Sequence, residues 1–485
     1  MLRRLGFAPL ALAAACATNP VTGKSELSLV SESQEIQIGR EEAQKVGQSI
    51  GYYDDPAVQA YVSRIGKGMA AESERPQLPW EFHVVDDASV NAFALPGGFI
   101  FVTRGLMTSI VNEAELASVM GHEIAHVTHR HSVQQISRAQ VAQLGLVAGS
   151  ILSSTVAQYG GLLGQGLGIL FLKYGRDAEL EADQSGFRYA LNENYDVRQM
   201  VGMFEVLEGV SQLSGAGKLP EWLSTHPNPG NRIAATEARL DTLKRDLANA
   251  TVNREGYLQR IKGMPYGDDP RQGFFRGNAF LHPGLRFQLE IPRGWKAQNT
   301  PAAVVAVSPD QDAIVQLGLA GKVEPTQAAR QFLSQQGIRP GESSTQSVNG
   351  NPAATSYFAA QTEQGEIRGI VSFVSYGGTT YGIMGYTPAQ SLGTYDGTFK
   401  RVIGSFRSLS DPSALNVQPA RLELVQLDQP MTVAEFHRRY PSPIRVEEVA
   451  LINGLAGPDD TMRPGRLFKR VTGQMIATST NQPQQ

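Results

Sequence analysis

A single cysteine, Cys16, stands in 485 residues, so no disulfide can form within the chain, and stability must come from packing or from a metal. Excess charge is missing too: 43 Lys and Arg against 46 Asp and Glu leave −3, and no basic run occurs. That balance removes the electrostatic case for nucleic acid as a partner. No internal repeat is apparent. Long apolar runs are scarce. The N-terminal one, Leu5 to Leu12, is too short to span a bilayer as a mature helix. Residues 139–172 carry no charged side chain, but Gln140, Gln143, Gln158 and Gln165 interrupt them, with many glycines and serines. A buried or lid-like pair of helices is expected there rather than a membrane span.

What is present begins at the N-terminus. Arg3 and Arg4 precede the apolar run, and small residues lead to Cys16, the pattern of an export signal over residues 1–16. Cys16 stands where a bacterial lipoprotein signal places its lipidated residue, although Ala13 fills the position where leucine is usual. The alternative is cleavage after Ala15, which leaves a free thiol. Ala17, where an inner-membrane retention signal has aspartate, favours the outer membrane. The expectation is a periplasmic protein held by a lipid anchor at Cys16.

Length gives a prior of about three domains. NPVTGKSELSLV reads as an extended tether. A helix begins at Ser31 with Gln34 completing a capping box, and a second follows Asp55-Pro56 with Val58, Tyr61, Val62, Ile65 and Met69 on one face. WEFHVVDD and FIFV are strand-like, Asn112 with Glu115 opens another helix, and helical signals continue over 177–191, 197–212 and 231–249. The fold class expected is multidomain α+β. A mainly helical domain with a small sheet covers 17–260, and a small α+β domain covers 272–410, with helices near 325–336 and 393–407. The arrangement of the latter resembles PsbP/Mog-type folds, and its role is unknown. A last segment, 418–472, has strand–helix–helix–strand order with Thr432, Tyr440, Asn453-Gly454 and Pro464-Gly465, and resembles a LysM module. That resemblance implies N-acetylglucosamine polymers such as peptidoglycan as a candidate partner. The alternative is a small structural domain of the same shape.

Chemistry concentrates in GHEIAHVTHRHS, residues 121–132. Positions four apart on a helix differ by about 40° in azimuth, so His122 and His126 can meet at one cation, and neutral imidazoles suit Zn²⁺. Glu123 lies roughly 100° around, beside such an ion, where it can accept a proton from water. His129 is two turns from His122, about 10 Å away, and His131 points elsewhere, so both read as bystanders at the helix end. Ser132 stands where a metzincin needs its third histidine. The remaining choice is RDAELEADQSGFRYA: Glu179 can ligate, Asp183 can fix the tautomer of a ligand histidine, and Glu181 reads as a surface charge.

HEIAH followed by ELEADQSG resembles the HtpX-type zinc metallopeptidase family, in its soluble periplasmic BepA-like branch. NAFALPGGFIFVTRGL and STHPNPGNRI agree with that resemblance. It implies a zincin-type fold over roughly 20–250, one Zn²⁺ on His122, His126 and Glu179, and Glu123 as general base. It favours a functional role for His226 or Arg232 as oxyanion donor, or for His226 as a resting fourth ligand that moves aside. Asn91, Ala92, Phe93 and Ala94 are expected to form an edge where an extended peptide can pair. The substrates implied are unfolded or misassembled envelope proteins. The competing readings are a chaperone-like assembly factor that rarely cuts and a wall-binding lipoprotein.

Overall fold

A computed structural model describes residues 16–143, 174–213, 221–226, 229–300, 303–362 and 365–476. The expected signal before Cys16 and the uncharged stretch beyond Gln143 lie outside those residues. Among the described residues no helix is long and apolar enough to cross a membrane. They divide into two compact units: one runs to Met264 and includes Arg421–Thr472, and the other comprises Pro265–Ala420 with the residues from Gly473.

The first unit opens on a hairpin, not on an extended tether. Cys16–Thr18 pairs antiparallel with Ser25–Leu27. Asn19 makes the turn, its Oδ1 accepting from Val21 N at 2.9 Å and Thr22 N at 3.0 Å, while its Nδ2 donates to His129 O at 3.1 Å. A short polar side chain that satisfies backbone groups in this way favours a turn over extension. The expected caps are present next. Ser31 and Gln34 close a capping box on helix Glu32–Ser49, and Asp55 Oδ1 accepts from Ala57 N and Val58 N ahead of helix Pro56–Ala71. That second helix buries Val58, Tyr61, Val62, Ile65 and Met69, the face read from its periodicity.

A three-stranded sheet follows, with Phe99–Thr103 in the centre. Glu81–Val85 runs parallel to it and Ala92–Leu95 antiparallel. Ala92–Leu95 is thus an outer strand, as expected, but it is not open: all four residues are buried and Asn91 is only 5% exposed. Behind the sheet runs the motif helix, Glu113–Thr128, N-capped by Asn112 Oδ1 accepting from Glu115 N at 2.8 Å. Every residue of that helix is buried, as a helix flanked on all sides must be.

Residues 421–472 join this unit instead of standing apart as a separate module. The expected strand–helix–helix–strand order is there, with Arg421–Gln426 antiparallel to Leu467–Thr472 around helices Val433–Arg439 and Val446–Ile452. Thr432 builds a capping box with Glu435 on the first helix. What ties the segment down is Lys469. Fully buried, its Nζ donates to Thr108 O at 2.9 Å, Ser109 O at 3.3 Å and Ile110 O at 2.8 Å, the open carbonyl end of helix Arg104–Ser109. Asn453 braces the lysine's own backbone, accepting from Lys469 N at 2.7 Å and donating to Lys469 O at 2.9 Å. Leu422 also exchanges backbone hydrogen bonds with Gly263 and Met264.

The second unit is built on a seven-stranded antiparallel sheet, ordered 338–344, 353–362, 365–376, 379–388, 314–321, 303–307, 296–299. Helices Pro325–Leu333 and Leu392–Ser405 match the two expected ones and bury their apolar stripes in separate clusters. Ala328, Ala329 and Phe332 pack with Phe358 and Phe373, while Phe399, Val402 and Ile403 pack with Phe287 and Ile383. Gly385 permits the second contact, since a Cβ there would lie 2.3 Å from the Phe399 ring.

Candidate metal centre

Two glycines set the position of the site. Gly121 on the motif helix faces Gly186 on helix Arg176–Asn192, and a Cβ on Gly186 would stand 2.7 Å from His122 N and 2.8 Å from Gly121 C. The two backbones therefore touch beside the first motif histidine, which holds Glu179 and Asp183 across from it. A Gly186→Ala variant forces these helices apart, because backbone atoms cannot move aside as side-chain ends do. Its expected result is a metal affinity lower by about 10–100-fold, the size found when groups supporting ligands are disturbed. Chelator competition measures it, and an unchanged affinity would remove the glycine contact from the account.

Across that contact the expected ligands converge. His122 Nε2 and His126 Nε2 are 2.9 Å apart, and the Glu179 carboxylate lies 3.6 Å from each. His226 completes the set, its Nδ1 3.2 Å from His122 Nε2 and 3.0 Å from Glu179 Oε1. One ligand atom from each of the four residues lies within 4.8 Å of the others, and all four residues are buried. His122 Nδ1 faces Asp183 Oδ1 at 2.9 Å, which fixes the tautomer and turns the Nε2 lone pair inward. Burial, then the nearby Arg232 charge, pushes His122 down to about 4, and burial also holds His126 well below its ordinary value, so both rings are neutral and can offer a lone pair. Two inward lone pairs, with Glu179 Oε2 buried, making no hydrogen bond and facing the Arg232 charge at 3.1 Å, are a donor set that fits a zinc ion.

The groups around this set have distinct tasks. Glu123 is 1% exposed, burial pushes its carboxyl up to about 7, and its Oε1 has no hydrogen-bond partner. His226 Nε2 lies 3.5 Å from that oxygen. Such a carboxylate is poised to take a proton. Arg232, expected to serve an oxyanion, also braces the ligand set. Its Nε and Nη2 clasp Asp183 at 2.7 Å and 2.6 Å, and Nη1 lies 3.1 Å from Glu179 Oε2. A guanidinium between two carboxylates orients them, while its buried Nη1 makes no hydrogen bond. Burial raises Asp183, but Arg232 outweighs it and holds that carboxyl well below the usual range.

Three participants escaped the sequence reading. Trp222 stacks on His226 with ring centroids 4.8 Å apart, and the Arg232 guanidinium lies over its ring at 4.6 Å. Its four-residue step ahead of His226 was the available signal. Tyr174 stacks on His126 at 4.0 Å, and nothing in its neighbourhood announces that. His131 is the instructive case, because it is no bystander: its Nδ1 lies 2.9 Å from His126 Nδ1. The motif helix stops at Thr128, Arg130 takes a left-handed φ of 58°, and a new helix starts at His131, which turns that ring back. Glu35 and the Val30 carbonyl hold Arg130 in that conformation. Glu181 is likewise no plain surface charge, since its Oε2 lies 3.3 Å from His131 Nε2.

Residues 56–240 match Peptidase family M48. The chain is 31% identical over 263 residues to the beta-barrel assembly-enhancing protease of Yersinia pestis, covering 52% of each chain. It is 37% identical over 164 residues to the mitochondrial metalloendopeptidase OMA1 of Bos taurus, covering 32% of this chain and 31% of that one. The chain thus spans about half, or less, of the length of these curated relatives. Among solved structures, cyanobacterial PsbP from Synechocystis is 14% identical with a TM-score of 0.24, covering 27% of this chain and 91% of that chain, a likeness too slight to carry an argument. His122, Glu123, His126, Glu179, Asp183, His226 and Arg232 all fall within the segment that matches peptidase family M48.

Proposed function

We propose that this chain is a zinc-dependent endopeptidase of the bacterial envelope that hydrolyses unfolded or misassembled envelope proteins. One observation carries the reading: a buried constellation of two neutral imidazoles and a carboxylate, with a second buried carboxylate, Glu123, whose Oε1 makes no hydrogen bond, beside it. His122, His126 and Glu179 would hold the zinc, which when bound polarises the scissile carbonyl and acidifies water. Glu123 takes the proton of the attacking water and returns it to the leaving amine. Asp183 and Arg232 keep His122 and Glu179 in place, and Trp222 braces His226. His226 lies with His122, His126 and Glu179 and would complete a four-residue set around the zinc in the absence of substrate.

The matched Yersinia pestis relative is named for enhancing β-barrel assembly, which supports envelope proteins as substrates and a BepA-like protease; placement in the HtpX-type branch belongs to the same proposal. Periplasmic location with a lipid anchor at Cys16 in the outer membrane belongs to the same proposal, and so does peptidoglycan as a partner of residues 418–472. Pairing of a substrate strand along Asn91, Ala92, Phe93 and Ala94 requires that buried edge to be uncovered. A second reading, an assembly factor that rarely cuts, draws on His226 filling the fourth position.

An assay on an unfolded protein, with and without a chelator, separates the two. Cleavage that stops on metal removal and returns with zinc is expected. Cleavage indifferent to chelation would overturn the metallopeptidase reading.

A further inference from the structure

Beside the first constellation lies a second. His129, His131 and Glu181 each direct one ligand atom to a common point, and these atoms lie within 4.8 Å of one another. Glu181 Oε2 is 3.3 Å from His131 Nε2 and 3.8 Å from His129 Nδ1. Ligands bonded tetrahedrally to zinc at about 2.0–2.1 Å stand a little over 3 Å apart, so these spacings need only a small contraction.

The state of His129 gives the independent sign of a missing ligand. It is 2% exposed, its Nε2 lies 2.9 Å from Ser185 Oγ, and its Nδ1 is buried without a hydrogen-bond partner. A neutral ring that donates Nε2–H to Ser185 leaves Nδ1 as a bare acceptor turned toward a carboxylate. In that tautomer the two acceptors face each other at 3.8 Å, an arrangement that a cation between them relieves.

We infer that His129, His131 and Glu181 form a second divalent-cation site, of zinc type, next to the first. Two imidazoles and one carboxylate leave an open position for water. Access is built in, because Glu181 is 38% exposed while both histidines are buried. His131 joins the two sites: one ring nitrogen faces the second cation and the other lies 2.9 Å from His126 Nδ1. With both rings ligating through Nε2, each carries its proton on Nδ1 and the two N–H groups face each other at 2.9 Å, so an ion in the second site opposes the hold of His126 on the first, and the chemistry suits a response to metal in excess of one equivalent.

The test counts metal and does not need activity, and it does not rest on the peptidase reading. The 485-residue chain is stripped with chelator, titrated with zinc, desalted and analysed for bound metal. Two equivalents are expected in the wild type, one in Glu181→Gln, one in Glu179→Ala and none in the double variant. Glu181 is partly exposed, so its replacement leaves folding intact, and His129→Asn gives a second route to the same loss. One equivalent that disappears in Glu179→Ala and persists in Glu181→Gln would overturn the second site and leave the first. Two equivalents that persist in Glu181→Gln and His129→Asn would overturn it as well. A single equivalent lost in Glu181→Gln but kept in Glu179→Ala would uphold the second site and sink the catalytic one.

Discussion

Exchanging Glu123 for glutamine should cut peptide hydrolysis by about 10²–10⁴-fold, the usual share of a positioned proton acceptor. Zinc content should stay where it was. The two effects separate because Glu123 is next to the ligand set and outside it: the four clustered side chains are His122, His126, Glu179 and His226. Glutamine keeps the volume of a fully enclosed side chain and removes the lone pair that takes the proton. Packing within the buried motif helix is therefore preserved. Cleavage at wild-type rate would take Glu123 out of the mechanism. Loss of metal together with activity would make it a ligand or a structural support. Peptide cleavage beside metal analysis on the same preparation decides among these outcomes.

Truncating Lys469 to alanine should destabilise the first unit by about 3–5 kcal/mol, since three buried carbonyls lose a donor at about 1–3 kcal/mol each with some relaxation. Thr108, Ser109 and Ile110 would each lose the ammonium donor that meets their carbonyls, in a region closed to water. A cavity would open as well. Lys469→Met restores much of the volume without a donor, so it should recover the packing part alone. Urea unfolding of both variants measures the difference. A loss under about 1 kcal/mol for the alanine variant would mean that residues 421–472 are only loosely attached.

That lysine also shows what the sequence could and could not convey. Its segment has a recognisable strand–helix–helix–strand pattern, and the pattern was right about the elements. Whether such a segment stands alone depends on which buried atoms it satisfies elsewhere. Lys469 pairs with carbonyls some 360 positions earlier, and no local period records that. The ligand set was legible for the opposite reason. His122 and His126 share a helix face by fixed geometry, and Glu179 and Asp183 repeat the same four-residue step. His131 is placed wrongly by a helix continued through it, because a left-handed Arg130 breaks the rod first. Arg232 was expected at the site as an oxyanion donor, and the distances add a second task, the clasp on Asp183. Sequence can bring a guanidinium near two carboxylates, but only distances reveal that it is already engaged with them. The caps at Ser31, Asp55 and Asn112 were readable because each is a contact between near neighbours in the chain.

The central claim is that one cation is held jointly by His122 and His126 from the motif helix and Glu179 from the helix that crosses it. Zinc analysis of Glu179→Ala beside the wild type, after removal of weakly bound metal, tests this most directly. The account predicts that the variant lacks the equivalent that also disappears when His126 is replaced. If Glu179→Ala binds that equivalent as tightly as the wild type, the carboxylate is not a ligand and the proposed centre is wrong.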